Sequence, residues 1–211
     1  MKLRELDVFV TAPPSPGWGG RYWILVKVTT DDGIVGWGEC YASSVGPKAM
    51  HVVINDVFER HMMGENPENI EIMFRRVYSS GYTQRPDLTV MGAFSGLEIA
   101  CWDILGKARN RPVHALIGGL VNERIRAYTY LYPLPQHDFA KFWSSPEMAA
   151  EAALDCAERG YTAIKFDPAG PYTLRGGHMP AMRDIEMSVN FCEAIRAVVG
   201  NKVDLLFGTH G

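Results

Sequence analysis

Three side chains near two strand ends have the types and spacing for acid–base chemistry. They are Lys165 and Asp167 in Ala163-Ile-Lys-Phe-Asp167, and His210 in Leu206-Phe-Gly-Thr-His210. In each segment a short apolar run is followed by small or turn-forming residues. That is the pattern of a buried strand delivering a polar group at its C-terminal end, where α/β barrels assemble their active sites. Residues 165 and 167 are i and i+2 on a strand, so their side chains leave it on the same side. The imidazole of His210 titrates near neutrality and suits either half of a proton transfer. Structural roles are also open to these groups: a strand-end lysine that snorkels, an Asp167-Pro168 turn, a surface histidine.

The bulk properties limit the partners. Of 211 residues, 47% are hydrophobic and 21% charged, the balance of a globular protein and not of a disordered one. A net charge of -3 and the absence of a Lys/Arg run argue against a nucleic-acid or anionic-membrane surface. Cys40, Cys101, Cys156 and Cys192 form no Cys-x-x-Cys pair and read as reduced core thiols. The N-terminal Met1-Lys-Leu-Arg4 runs into Glu5 and Asp7, not into a signal-peptide core. No stretch approaches about 20 consecutive apolar residues, so a cytoplasmic protein with no membrane span is expected.

The elements that must position these groups fall into two rhythms. Residues 2–10 alternate as a strand with Leu6, Val8 and Val10 on one face; a Pro/Gly-rich loop with Trp18 follows. Residues 22–30 and 34–40 form a hairpin about Asp31-Asp-Gly33. From Gly46 the period changes to 3.6, predicting helices with Met50, Ile54, Val57 and Phe58 inward, then from Asn66-Pro-Glu68, then over about 89–108. A sheet followed by helices is an α+β domain, expected over residues 1–120. Residues 121–211 predict strand 125–130, helix 146–159 capped by Ser145, strand 162–166, helix 180–199 and strand 203–207. This is right-handed parallel β/α winding, and three strands are too few to close a (β/α)8 barrel.

Four segments, in order, resemble the mandelate racemase and muconate lactonising branch of the enolase superfamily: Gly36-Trp-Gly-Glu39, Ser95-Gly-Leu-Glu-Ile-Ala-Cys-Trp-Asp-Ile-Leu-Gly-Lys107, Pro112-Val-His-Ala-Leu-Ile-Gly-Gly119 and Gly160-Tyr-Thr-Ala-Ile-Lys165. The resemblance implies an α+β capping domain followed by the first strands and helices of a (β/α)8-type, TIM-like barrel. It also implies catalytic groups on barrel strand ends and substrate specificity on two cap loops. Those loops are residues 12–21 and 41–48, which makes Trp18, Arg21 and Tyr41 substrate-binding candidates. Trp102 and Asp103, within the long second motif, are expected to be structural.

The chemistry implied is abstraction of the proton α to a carboxylate, with Mg2+ stabilising the charge that develops. Family members hold the metal with carboxylates on strands three, four and five. Here the third-strand position is Gly208, so the metal ligands of this chain are not defined and further ligands are expected beyond residue 211. His210 resembles the histidine of acid-sugar dehydratases of galactonate and mannonate type, which protonates a departing hydroxide. Lys165 matches the first lysine of the racemase Lys-x-Lys, which helps hold the substrate carboxylate, whereas Asp167 replaces the second, the base. Asp167 is also a candidate stand-in for the lost metal ligand. The long segment 166–180 adds Tyr172, Arg175 and His178 as candidates. The function expected is elimination of water from a sugar acid, with racemisation, cycloisomerisation or a non-catalytic relative as alternatives. The partner expected is a small sugar acid, in a protein that is a homo-oligomer or is completed by further barrel sequence.

Overall fold

The computed structural model describes residues 1–15, 17, 20–42, 44–167 and 181–208. The chain divides into two compact units, Met1–Val121 and Asn122–Gly211.

The first unit opens with an antiparallel sheet of strands β1 (Leu3–Thr11), β2 (Trp23–Thr30) and β3 (Val35–Cys40), in that order. Asp31, Asp32 and Gly33 make the hairpin turn, with Gly33 at φ 86°, a conformation that favours glycine. In β2 the alternation is complete: Ile24, Val26 and Val28 are buried, whereas Leu25 and Lys27 are half-exposed. β1 turns Leu6 and Val8 toward the core as its alternation requires, but not Val10. Its register slips between Leu3 and Glu5, so Leu3 enters the core, Leu6 and Val8 are half-buried and Val10 is exposed.

Helices α1 (Pro47–His61), α2 (Ile70–Ser80) and α3 (Leu88–Ala108) cover the sheet's buried face. α1 carries Met50, Ile54, Val57 and Phe58 inward, as its period requires. α2 begins later than the Asn66-Pro-Glu68 signal predicts. The Asn66 side chain instead accepts from the Glu68 N–H at 3.0 Å, closing a turn ahead of the helix, and the N-cap is Asn69. α3 is capped by Asp87, whose carboxylate accepts from the N–H groups of Thr89 and Val90. Contrary to the expectation from sequence, α3 is long and apolar enough by composition to cross a membrane. Its apolarity has another cause here: Phe94, Leu97, Cys101 and Ile104 are core residues, packed on the sheet and the neighbouring helices. A short helix, α4 (Val113–Leu116), follows.

α3 approaches the sheet closely because glycines face each other. A Cβ on Gly38 would lie 1.9 Å from the Gly96 carbonyl oxygen, and one on Gly36 2.1 Å from that of Ala100. The glycines at 92 and 96 therefore serve helix-on-strand contact, since added Cβ atoms would meet the Tyr41 carbonyl oxygen and the Cys40 Sγ. Asp103 ties the same helix to the strand edge. Its Oδ2 accepts from the Trp37 N–H at 2.9 Å and from Lys107 Nζ, which also donates to the Val35 carbonyl.

The second unit is a parallel sheet in the order β4 (Thr129–Tyr130), β5 (Ala163–Phe166), β6 (Asp204–Phe207). Helices α6 (Pro146–Glu158) and α7 (Met182–Val199) connect the strands, and a short α5 (Phe139–Phe142) precedes α6. Ser145 caps α6 by accepting from the Met148 N–H, and Gly160 (φ 94°) follows its end. β4 is far shorter than the expected 125–130. Among the described strands it pairs with β5 alone, and Ile125 is 87% exposed, so nothing holds the earlier residues in a ladder. Ile164 and Phe166 pack with Phe142, Ala152, Phe191 and Ile195 in a core between sheet and helices.

Candidate functional site

Burial of Ile164 and Phe166 against the helix layer sends Lys165 and Asp167 to the other face of β5. Parallel pairing sets Lys165 opposite Leu206 and Phe166 opposite Phe207; the ladder ends with the Gly208 N–H donating to the Phe166 carbonyl at 2.9 Å. One step further along the strands, Asp167 lies beside Gly208. The contact is close: a Cβ built on Gly208 would be 2.1 Å from Asp167 Oδ1, 3.4 Å from its Cγ and 3.4 Å from Lys165 Cε. Lys165 and Asp167 thus converge on the side-chain space of residue 208.

Tyr130, at the end of β4, lies beneath the lysine, with Nζ 5.9 Å from the ring centroid. That is the outer range of a cation–π contact and fixes the direction of the ammonium group more than its energy. Tyr130 is a neighbour of this cluster that strand alternation in β5 does not single out. Its position at a strand end next to an aromatic-rich turn, Tyr130-Leu-Tyr132, was the available signal. Beyond β4, His137 accepts from the Leu134 N–H through Nδ1, so Nε2 carries the proton that meets Glu151 at 2.9 Å.

The first unit holds a separate cleft of about 370 Å3 where its two loops meet. Arg21, Trp23, Glu39 and Tyr41 line it, with Tyr41 71% exposed. Arg21 and Tyr41, expected on different loops to face substrate, share this cleft. The Tyr41 N–H donates to the Gly92 carbonyl, and Tyr22 donates its hydroxyl to the Val45 carbonyl, so both loop ends are held by backbone acceptors. Glu39 was missed as a lining residue. As the last residue of Gly36-Trp-Gly-Glu39 its carboxylate is exposed while the neighbours Gly38 and Cys40 are buried. Trp18, Tyr172, Arg175, His178 and His210 lie outside the described residues.

Of the thiols, only that of Cys40 borders the cleft. All four cysteines are free. Burial pushes the Cys40 and Cys101 thiols up to about 12, and raises Cys156 and Cys192 as well. Such groups stay protonated and unreactive near neutrality.

The residues can be tested against the Mg2+ that enolase-type barrels employ. Among the described residues no group of three or more His, Cys, Asp or Glu is arranged to hold a metal ion. Gly208 brings no donor atom from strand β6. The cradle its missing side chain leaves is filled by a carboxylate oxygen of Asp167, a hard donor suited to a divalent cation. One carboxylate beside the Lys165 ammonium is not a site for a divalent cation, so the described residues do not by themselves fit the metal.

An α+β cap unit joined in sequence to parallel β/α winding, with polar groups gathered at the strand C-termini, defines the class: the N-terminal half of an enolase-type barrel protein. Comparison with known proteins agrees. Residues 18–118 match the mandelate racemase/muconate lactonizing enzyme N-terminal domain. The crystal structure of a mandelate racemase/muconate lactonizing enzyme from Sulfitobacter sp. superposes with a TM-score of 0.94 at 80% identity, covering 100% of this chain and 53% of that one. A D-gluconate/D-galactonate dehydratase of Picrophilus torridus is 30% identical over 99% of this chain and 51% of its own length. A D-xylonate dehydratase of Haloferax volcanii is 32% identical over 90% of this chain and 45% of its own. The chain belongs to the mandelate racemase/muconate lactonising branch of the enolase superfamily and comprises its N-terminal portion. It spans about half the length of the curated relatives it matches.

Proposed function

We propose that the full-length protein is a hydro-lyase of the acid-sugar dehydratase type, removing the proton α to a carboxylate and eliminating the β-hydroxyl as water. The observation that carries this reading is the convergence of Lys165 and Asp167 on the side-chain space of Gly208 at the C-terminal ends of parallel strands. The similarity to D-galactonate, D-gluconate and D-xylonate dehydratases supports the substrate class.

In this reading Lys165 offers its ammonium group to the substrate carboxylate, held in direction by the Tyr130 ring. His210 protonates the departing hydroxide, because the leaving group must become water and an imidazolium can deliver a proton near neutral pH. Mg2+, when bound, supplies positive charge against the negative charge that grows on the substrate carboxylate. The candidate substrate-binding residues are Arg21 and Tyr41 of the first unit's cleft, with Trp18, and Tyr172 and Arg175 of the segment 168–180. The protein acts in the cytoplasm, as a homo-oligomer or together with further barrel sequence. Racemisation fits less well, since an aspartate occupies the place of the second lysine of Lys-x-Lys.

The test is to incubate the full-length protein and Mg2+ with a panel of aldonic and aldaric acids and to assay 2-keto-3-deoxy acid formation. Production from at least one acid, abolished in His210→Asn, is expected. Turnover undiminished in His210→Asn removes that residue from the mechanism, and no product from any acid contradicts the proposed activity.

A further inference from the structure

Five residues share the face of the second unit's sheet that turns away from its helices. Tyr130, Lys165 and Leu206 stand in one row across β4, β5 and β6, and Asp167 and Gly208 stand in the next. Because Gly208 brings no side chain, its space is open to the neighbouring strand. The point where a Cβ would stand lies 2.1 Å from Asp167 Oδ1 and 3.4 Å from Lys165 Cε. A carboxylate and an ammonium group thus border one small volume, and a ligand of a few heavy atoms reaches both.

The two groups make opposite demands. An ammonium group only donates hydrogen bonds and attracts an anion, whereas a carboxylate only accepts them and repels one. A ligand that satisfies both presents an anionic group to Lys165 and, close beside it, a hydrogen-bond donor to Asp167. A 2-hydroxy acid has that order of groups, a carboxylate and then a hydroxyl on the adjacent carbon. The dehydratase reading requires the same order independently, since the oxygen on C2 of the acid becomes the keto oxygen of a 2-keto-3-deoxy product. On conversion that oxygen changes from a donor to an acceptor only, and it can no longer donate to Asp167.

We propose that Asp167 is the specificity-determining residue for the C2 hydroxyl. Its carboxylate accepts from that hydroxyl while Lys165 holds the adjacent carboxylate, so the pair selects 2-hydroxy acids over their 2-keto and 2-deoxy counterparts. Gly208 is part of this selection, because any side chain there would displace the accepting oxygen. The inference rests on the dehydratase reading for the class of acid and goes beyond it in giving Asp167 its partner on the substrate.

The test is ligand-observed nuclear magnetic resonance titration of the full-length protein with D- and L-lactate, pyruvate and propionate, small acids that differ at C2 alone. Wild type is expected to bind one lactate enantiomer at least about 10-fold more tightly than pyruvate or propionate, the size of one hydrogen bond to a charged group. Lys165→Met weakens all of the acids together. Asp167→Asn keeps the shape but adds an N–H donor. It brings lactate to within about 3-fold of propionate and strengthens pyruvate binding relative to wild type, a change that loss of packing does not produce. Gly208→Ala, which displaces the carboxylate, levels the lactate preference without strengthening pyruvate. A lactate preference unchanged in Asp167→Asn overturns the inference, as does equal binding, or no binding, of the acids by wild type. Should Asp167→Asn not fold, Gly208→Ala decides by the same comparison. Turnover of a sugar acid by a protein with no lactate preference removes this inference alone. A lactate preference that depends on Asp167, without turnover of any sugar acid, removes the dehydratase reading alone.

Discussion

Gly38 in the first unit and Gly208 in the second both face an atom about 2 Å from where a Cβ would be, yet the two contacts differ in kind. At Gly38 the obstacle is the Gly96 carbonyl oxygen, part of helix α3, whose own backbone hydrogen bonds hold it in place. At Gly208 it is the tip of the Asp167 side chain, which rotates about two single bonds. The first glycine is a condition of the fold, because helix and strand cannot both move. The second is a condition of the site: the chain folds around a substituent there, but a carboxylate must leave its place.

Substitutions separate the two cases. The largest stability loss is expected for Gly38→Ala or Gly96→Ala, where a methyl group meets backbone or the Cys40 Sγ; a loss of about 3 kcal/mol or more should appear in urea unfolding of the full-length protein. Asp103→Ala comes next. It strands the Trp37 N–H at the strand edge and releases Lys107, at a cost of about 1–2 kcal/mol. Gly208→Ala is expected to fall within about 1 kcal/mol of wild type by the same measurement, since the Asp167 side chain can swing away. Its turnover of a sugar acid should nevertheless drop. A Gly208→Ala loss as large as that of Gly38→Ala would erase the distinction between the two glycines.

The buried thiols give a smaller, pH-dependent effect, largest in the first unit. Cys40 and Cys101 have folded values raised to about 12 from a reference of 9.0. Their contribution to stability is fully present below pH 9 and is lost as the pH rises toward 12, because the unfolded chain ionises first. Urea midpoints should fall with pH through that window, with a shallower fall in Cys101→Ala. At pH 8, alkylation of Cys40 and Cys101 should be slow in the native protein and complete in denaturant. Rapid native-state modification of either would contradict their burial.

The cap was legible in the sequence because its elements bury one face each, so period 2 in β2 and period 3.6 in α1 and α3 mark both element and core. Legibility failed where side chains bonded locally, as when Asn66 closed a turn and delayed α2, and where pairing was missing, as in the stretch before β4. Of the site, the convergence of Lys165 and Asp167 followed from strand alternation alone. The contact between Asp167 and Gly208 did not, because it crosses from β5 to β6 and depends on register that no local pattern encodes. Their departures from the family pattern were each visible, and only the sheet brought them together.

The central claim is that Lys165 and Asp167 meet in the side-chain space that glycine leaves free at 208 and act there as one site. Sugar-acid turnover by the full-length Asp167→Asn and Gly208→Ala variants against wild type tests it most directly. Turnover lost in both variants, with urea midpoints near that of wild type, is the predicted result; wild-type turnover in both would contradict it.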